Sequence, residues 1–201
     1  MDDTRRTQAE RAADTREALI AAARPLFAAE GFAEVALEAI VRAAGVTRGA
    51  LYHHFADKTE LFAAVYERVD GDMAARMGEV IAASNETDPV EIMRLGAGFW
   101  LDACADPEVY RIVLVDAPAV LGWTRWSEIG NGYNIGLVRD LVANAIETGH
   151  IPPQPVEATA LTLLGAMREA TLYVAGAQDR DQARRDAGEV MDRLIHSLGA
   201  T

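Results

Sequence analysis

An all-helical fold is what this sequence predicts, and three observations predict it. Half of the 201 residues are hydrophobic, with alanine abundant among them. Runs with strand character are short, such as residues 111–115. Apolar positions recur at the spacing of about 3.6 that marks one face of a helix. Residues 36–58, ALEAIVRAAGVTRGALYHHFADK, carry apolar helical stretches on either side of a turn at Gly45.

The first helix is expected over 18–30, where Leu19, Ala23, Leu26 and Phe27 form an apolar stripe and Gly31 marks the end. Pro25 lies inside it and removes the hydrogen bond to the Ala21 carbonyl. The next helix buries Leu37, Ile40, Val41 and Ala44 and stops at Gly45, which is free to take the left-handed conformation of a helix ending. Neither Val35 nor Ala36 offers a side-chain cap at its start. Val46 plugs the turn, Thr47 is a good N-cap, and residues 48–54 make about two further turns. Two short helices about a tight turn form a helix-turn-helix. Asp57, with Glu60 three residues on, fits a capping box that opens another helix at Lys58.

Further helices are expected over 58–84, 89–105, 107–116, 123–148, 156–176 and 179–198, separated by 85–88, 106, 117–122, 149–155 and 177–178. No repeat or low-complexity linker interrupts them. Two domains are expected, at 1–66 with an ordered core from about 14, and at 67–201. The long helix starting at Lys58 would be common to both.

No run of about 18 apolar residues exists, and the opening MDDTRRTQAE lacks the apolar core of a signal peptide, so a cytoplasmic protein away from membranes is expected. The single cysteine, Cys104, excludes an internal disulfide and is either a small core residue or a redox-sensing thiol. Of the 19 basic residues 18 are arginine, which suggests a GC-rich coding sequence. The net charge of −12 opposes phosphate binding at first sight, yet residues 1–66 hold 8 basic against 10 acidic side chains, so most of the excess lies beyond them. Affinity for a polyanion would rest on a few placed groups, with an acidic body discouraging nonspecific contact.

Catalysis finds no constellation. The histidines are His53, His54, His150 and His196, with no Gly-x-Ser-x-Gly, metal-ligand spacing or phosphate loop. Adjacent His53 and His54 diverge by about 100° on a helix and cannot easily share a metal ion. Neither an enzyme nor a bound cofactor is expected.

The stretches TREALIAAARPLFAAEGF and AIVRAAGVTRGALYHHFADKTELF resemble, in kind and order, the DNA-binding domain of the tetracycline-repressor family of bacterial regulators. The resemblance covers a quarter to a third of the chain and is more specific than a lone helix-turn-helix. It implies a cytoplasmic, homodimeric repressor that binds duplex operator DNA and is released by a small effector. Thr47 and the helix end it caps suit a phosphate, Arg48 suits guanine O6 and N7, and Gly49 permits close approach. Tyr52 falls one turn later, to meet the groove or pack in the core. Positions matching Tyr52, His54 and Lys58 meet the DNA backbone in the family, and the one matching His53 lies at the groove. Lys58 sits where the helix dipole disfavours a cation, which points to a phosphate. Arg5 and Arg6 are either a minor-groove arm or solvated charges offset by Asp2 and Asp3.

In the second part, aromatic residues Phe99, Trp100, Tyr110, Trp123, Trp126 and Tyr133 concentrate, with Met73, Met77, Met93 and Met167 able to adapt around a guest. They are expected either to line an effector cavity or to pack a core. Asp116, in an apolar segment, needs Arg125, Arg111 or a cationic ligand as partner. Leu161, Leu164, Arg168 and Leu172 form one helical stripe, and Val190, Met191, Leu194, Ile195 and Leu198 another. With small Gly165, Ala166 and Ala170 between, these stripes either pair two copies or fill the monomer. The competing readings are a DNA-binding regulator or activator blind to effectors, and a helical dimer with no affinity for DNA.

Overall fold

A computed structural model describes residues 8–199, and among them every regular element is a helix. Helix α1 (Gln8–Glu30) runs through Pro25, and it begins about ten residues before the expected start. Helix α2 (Leu37–Ala44) lacks a side-chain cap at Ala36, and Gly45 ends it at φ 65°. Helix α3 (Arg48–His54) opens at Thr47, whose hydroxyl accepts from the Ala50 N–H at 3.1 Å. These three pack around Leu19, Phe27, Ile40 and Leu51, all shut off from solvent.

Helix α4 (Lys58–Ser84) starts at Asp57, whose carboxylate accepts from the Glu60 N–H at 2.9 Å. The expected capping box is only half formed, because the Glu60 carboxylate turns to Arg125 at 2.5 and 2.8 Å. The first half of α4 belongs to the core of the head: Phe62 meets Phe27 and Phe32 edge-on, with ring centroids 5.2 Å apart in each pair. The same core continues into the body through Val69, Met73, Val109, Ile112 and Trp126.

The body adds α5 (Pro89–Ala103), α6 (Pro107–Val109), a wide π-helical stretch (Tyr110–Asp116), α7 (Ala117–Glu147), α8 (Val156–Gly176) and α9 (Arg180–Ser197). Two details depart from expectation. Residues 110–116 adopt i→i+5 bonding in place of an ordinary helix, a geometry that often marks functional positions. Residues 117–121, expected as a loop, are helical, and the break narrows to Gly122 at φ 73°. A second core, built from Leu101, Val142, Leu163, Met191 and Ile195, ties α5, α7, α8 and α9 together, and Trp100 packs against both cores. No helix of the described residues is long and apolar enough to cross a membrane.

Head and body meet at named polar contacts. Arg24 of α1 reaches Asp72 of α4 and forks onto Glu108 of α6, with Nε and Nη2 at 2.8 and 2.7 Å. The Phe32 N–H donates to Asp116 Oδ2 at 2.8 Å, and Tyr66 donates to the Trp126 carbonyl at 3.2 Å. Gly31 sits in the first of these joints at φ +85°, where an added β-carbon would lie 3.3 Å from Arg111 Nη1 and 3.4 Å from Asp116 Oδ2. Gly31→Ala is therefore expected to cost about 1–2 kcal/mol, from left-handed backbone strain alone. It would show as a lower urea midpoint at unchanged m-value.

Candidate functional site

The head presents the seven expected DNA-facing residues unevenly. Thr47, Arg48, Gly49, Tyr52 and His53 are exposed on and beside α3, with Tyr52 45% accessible, so its ring is not a core residue. Arg48 is engaged at rest: Nη1 bonds Glu38 Oε1 at 2.8 Å, Nη2 donates to the Tyr52 hydroxyl at 3.3 Å, and the guanidinium lies 5.6 Å from the Tyr52 ring centre. Glu38, on the first turn of α2, is the neighbour that sequence reading missed. Both members of this pair are more than half exposed, so it exchanges cheaply for another partner.

His54 is half-buried, and desolvation first, then His53 and Arg16, hold its pKa below the ordinary histidine value. It therefore favours the neutral ring, which bonds without adding charge. Lys58 folds back, its Nζ 4.5 Å from the Phe32 ring centre and donating to the Ala33 carbonyl at 3.3 Å. Burial lowers its pKa. The cation at this helix start thus has internal partners, where the sequence pointed to phosphate alone. Arg5 and Arg6 lie outside the described residues.

Behind the head, α4, α5, α7, α8 and α9 border a partly open cavity of about 150 Å³. Met77, Met93, Trp100, Trp126 and Met167, named from sequence, line it together with Leu141 and Leu163. Four other expected lining residues point elsewhere. Phe99 borders an outer groove beside Arg76, and Tyr110 packs on the first core under Arg180, 4.2 Å from its ring centre. Asp116 is spent on the Phe32 N–H, while Trp123 is 55% exposed. Arg125, a suggested partner of Asp116, pairs with Glu60 instead. The Tyr133 side chain lies outside the described residues. Met73 belongs to the first core.

The polar part of the lining is what sequence reading missed. Asp70 is wholly buried, and neither carboxylate oxygen has a hydrogen-bond partner among the described residues. Ser127 Oγ and Arg168 Nε, also in the lining, are buried without partners. Arg168, expected at a dimer surface, stacks on Trp123 and Trp126, 4.3 and 5.9 Å from their ring centres. A usable signal existed: Asp70 stands inside the stripe Tyr66, Val69, Met73 and Met77, a charge on the buried face of a helix. Burial pushes its carboxyl up to about 7. The Cys104 thiol is likewise pushed up to about 12 by burial, which makes it an inert core residue.

On α8 and α9 the two expected stripes divide. Met191 and Ile195 turn inward to the second core and the cavity, and Leu164 also lines the cavity. Leu161, Tyr173 and Val190 are the exposed large apolar side chains of this face, with Leu172, Leu194 and Leu198 partly covered. Tyr173, absent from the sequence stripe, lies one position round the helix from Leu172.

A capped helix-turn-helix head joined by one long helix to a helical body defines the class, a DNA-binding transcriptional regulator. Comparison with known proteins makes the assignment specific. Residues 19–65 match the family described as bacterial regulatory proteins, tetR family, and residues 90–198 match the tetracyclin repressor-like C-terminal domain. The HTH-type transcriptional regulator CymR of Pseudomonas putida is 38% identical over 104 residues, 51% of each chain. For AcrR of Shigella flexneri the identity is 37% over 90 residues, 45% of this chain and 41% of that one, so the matches span about half the length of these curated relatives. A TetR-family regulator from Pectobacterium atrosepticum superposes with a TM-score of 0.84 at 32% identity, over 98% of this chain and 99% of that one. The regulator RolR, in complex with resorcinol, shares the fold at a TM-score of 0.74 and 19% identity over 96% of both chains. The chain belongs to the tetracycline-repressor family of bacterial transcriptional regulators.

The raised Asp70 pKa carries a signed prediction. The folded state keeps a proton that the unfolded chain releases between the ordinary aspartate value of 3.8 and about 7. Stability should therefore fall as pH rises through that window and level off above it, by about 4 kcal/mol in total. Asp70→Asn is expected to remove most of this slope and to exceed the parent in stability above neutrality, as read from urea denaturation at a series of pH values. A parent whose stability stays level across the window would contradict it.

Proposed function

We propose that the protein is a homodimeric repressor that leaves its operator when a small, largely apolar or aromatic effector occupies the cavity behind α4. The observation that carries this reading is α4 itself. Its first half packs in the head core and its second half walls the cavity. A guest that displaces the wall moves the head.

In this reading residues 1–66 form the reading head and 67–201 the effector-binding and dimerising body. Two copies meet through α8 and α9, where Leu161, Tyr173 and Val190 stand exposed. Dimerisation sets two α3 helices at the spacing of successive major grooves on a pseudo-palindromic site. Thr47 and the first N–H groups of α3 take a phosphate, Arg48 exchanges Glu38 for a guanine edge, and Tyr52, His53 and His54 border the groove. Lys58 holds the loop after α1 and supplies a cation to the backbone. By linkage the effector binds the off-DNA state better, and tenfold release needs about 1.4 kcal/mol of difference.

The test starts with duplexes selected from a random pool by the purified protein, followed by titration against scrambled competitor. Arg48→Ala is expected to lose roughly tenfold or more in affinity for the selected site and little for scrambled DNA. Equal losses on both would mean that Arg48 touches phosphate only. Glu38→Gln should move the other way, tightening binding roughly threefold, because it frees Arg48 and removes a charge that repels the backbone. Sedimentation of the free protein as a monomer at micromolar concentration would refute the dimer.

A further inference from the structure

Asp70 is the group that the reading so far leaves without a role. A carboxylate with no exposed surface and no donor on either oxygen is costly, and a helix stripe of Val69, Met73 and Met77 gives no packing reason for it. It forms part of the cavity lining, on the α4 wall. Among the described residues no ion pair joins it to Arg168, whose guanidinium is held on the two tryptophan rings, one of them largely exposed. Trp100 and Trp126 contribute aromatic surface to the same cavity, and such rings attract cations.

We propose that the cavity is a site for a small organic cation, an amine with an apolar or single-ring body, whose ammonium group pairs with Asp70. The proposal rests on the effector cavity described above and names its ligand class. A hydroxyl would satisfy one lone pair and leave the buried charge uncompensated; an ammonium brings the opposite charge and up to three donors. A space of about 150 Å³ suits a body of about one aromatic ring. Ser127 Oγ, unpartnered in the same lining, is free to bond a second polar atom of the guest.

Tyr66 on its own helix and Cys104 beyond α5 interact with Asp70, while Ser127 on α7 and Arg168 and Thr171 on α8 share the cavity lining with it. Burial raises both the Tyr66 and Cys104 pKa values far above neutrality, so within the window of interest Asp70 is the one that titrates. Amine affinity should accordingly rise from about pH 5 to about pH 8 and then level, while an amine guest stays protonated throughout.

The experiment titrates the purified full chain with phenethylamine, phenethyl alcohol and ethylbenzene by calorimetry, with tryptophan fluorescence in parallel. The amine is expected to bind roughly tenfold or more tightly than the alcohol. Asp70→Asn should lose that preference and its pH dependence while still taking up ethylbenzene, which shows the cavity intact. An alcohol that binds as well as the amine, a preference that survives in the Asn variant, or no binding of any of the three overturns the proposal. The parent's amine-to-alcohol ratio and pH profile decide the matter even if the variant does not fold. The two readings also fail separately. Alcohol or ethylbenzene that releases selected DNA without amine preference removes the cation and keeps the effector. Amine binding that depends on Asp70 but leaves the DNA complex unmoved keeps the cation site and removes effector release.

Discussion

One continuous helix, α4, is the constraint on which the rest depends. Its 27 residues share an unbroken backbone ladder, capped at Asp57 and closed at Asn85 in the left-handed conformation. A helix of that length is stiff on the scale of a small domain, so its two halves cannot be repositioned independently. Leu61, Phe62, Val65 and Tyr66 fix one end in the head, and Met77 and Ile81 border the cavity at the other. The apolar burial of the first half sets the geometry. The polar contacts between head and body, Arg24 with Glu108 and Asp72, and Arg125 with Glu60, are partly exposed pairs. Pairs of that kind are worth at most about 1 kcal/mol each. They adjust the angle between head and body and do not hold the two together.

The joint at Gly31 and Phe32 is different, because it has no slack. The loop after α1 is bound by its backbone N–H to Asp116, the last residue of the π-helical stretch. The wide turns of that stretch and the break at Gly122 bracket a short helical segment between two irregular points. Such points are where a helix changes conformation at least cost. The segment touches the head through Phe32 and leads directly into Trp123 and Trp126, which carry Arg168. A second route from cavity to head therefore runs beside α4.

Much of the fold was legible because local chemistry and global packing agree in this chain. Thr47, Asp57 and Gly45 act where their capping chemistry says they must, and the stripes at Leu19 to Phe27 and Leu37 to Val41 reach the core as read. The site was less legible. Trp123 and Phe99 share a composition with Trp126 and Trp100 but sit on other faces, since aromatic content carries no direction without the helix phase. Met191 and Ile195 form a sound helical stripe, yet a stripe does not say whether its partner is the same chain or another copy. Asp116 looked set for an arginine or a cationic ligand and Lys58 for a phosphate; each found a backbone atom some 25 or more residues distant in sequence. Contacts of that range have no local signature. Asp70 has one, a charge in phase with Tyr66, Val69, Met73 and Met77, which shows only once the 58–84 helix is read face by face.

The resting bond between Arg48 and Glu38 bears on how this head would meet a polyanion. A head with 8 basic and 10 acidic side chains in residues 1–66, and its foremost arginine tied to a carboxylate, offers few free cations to the phosphates of a duplex. The number of phosphates neutralised sets how steeply affinity falls with salt. A head that neutralises few phosphates would hold its site with a shallower dependence on salt than a more basic head would.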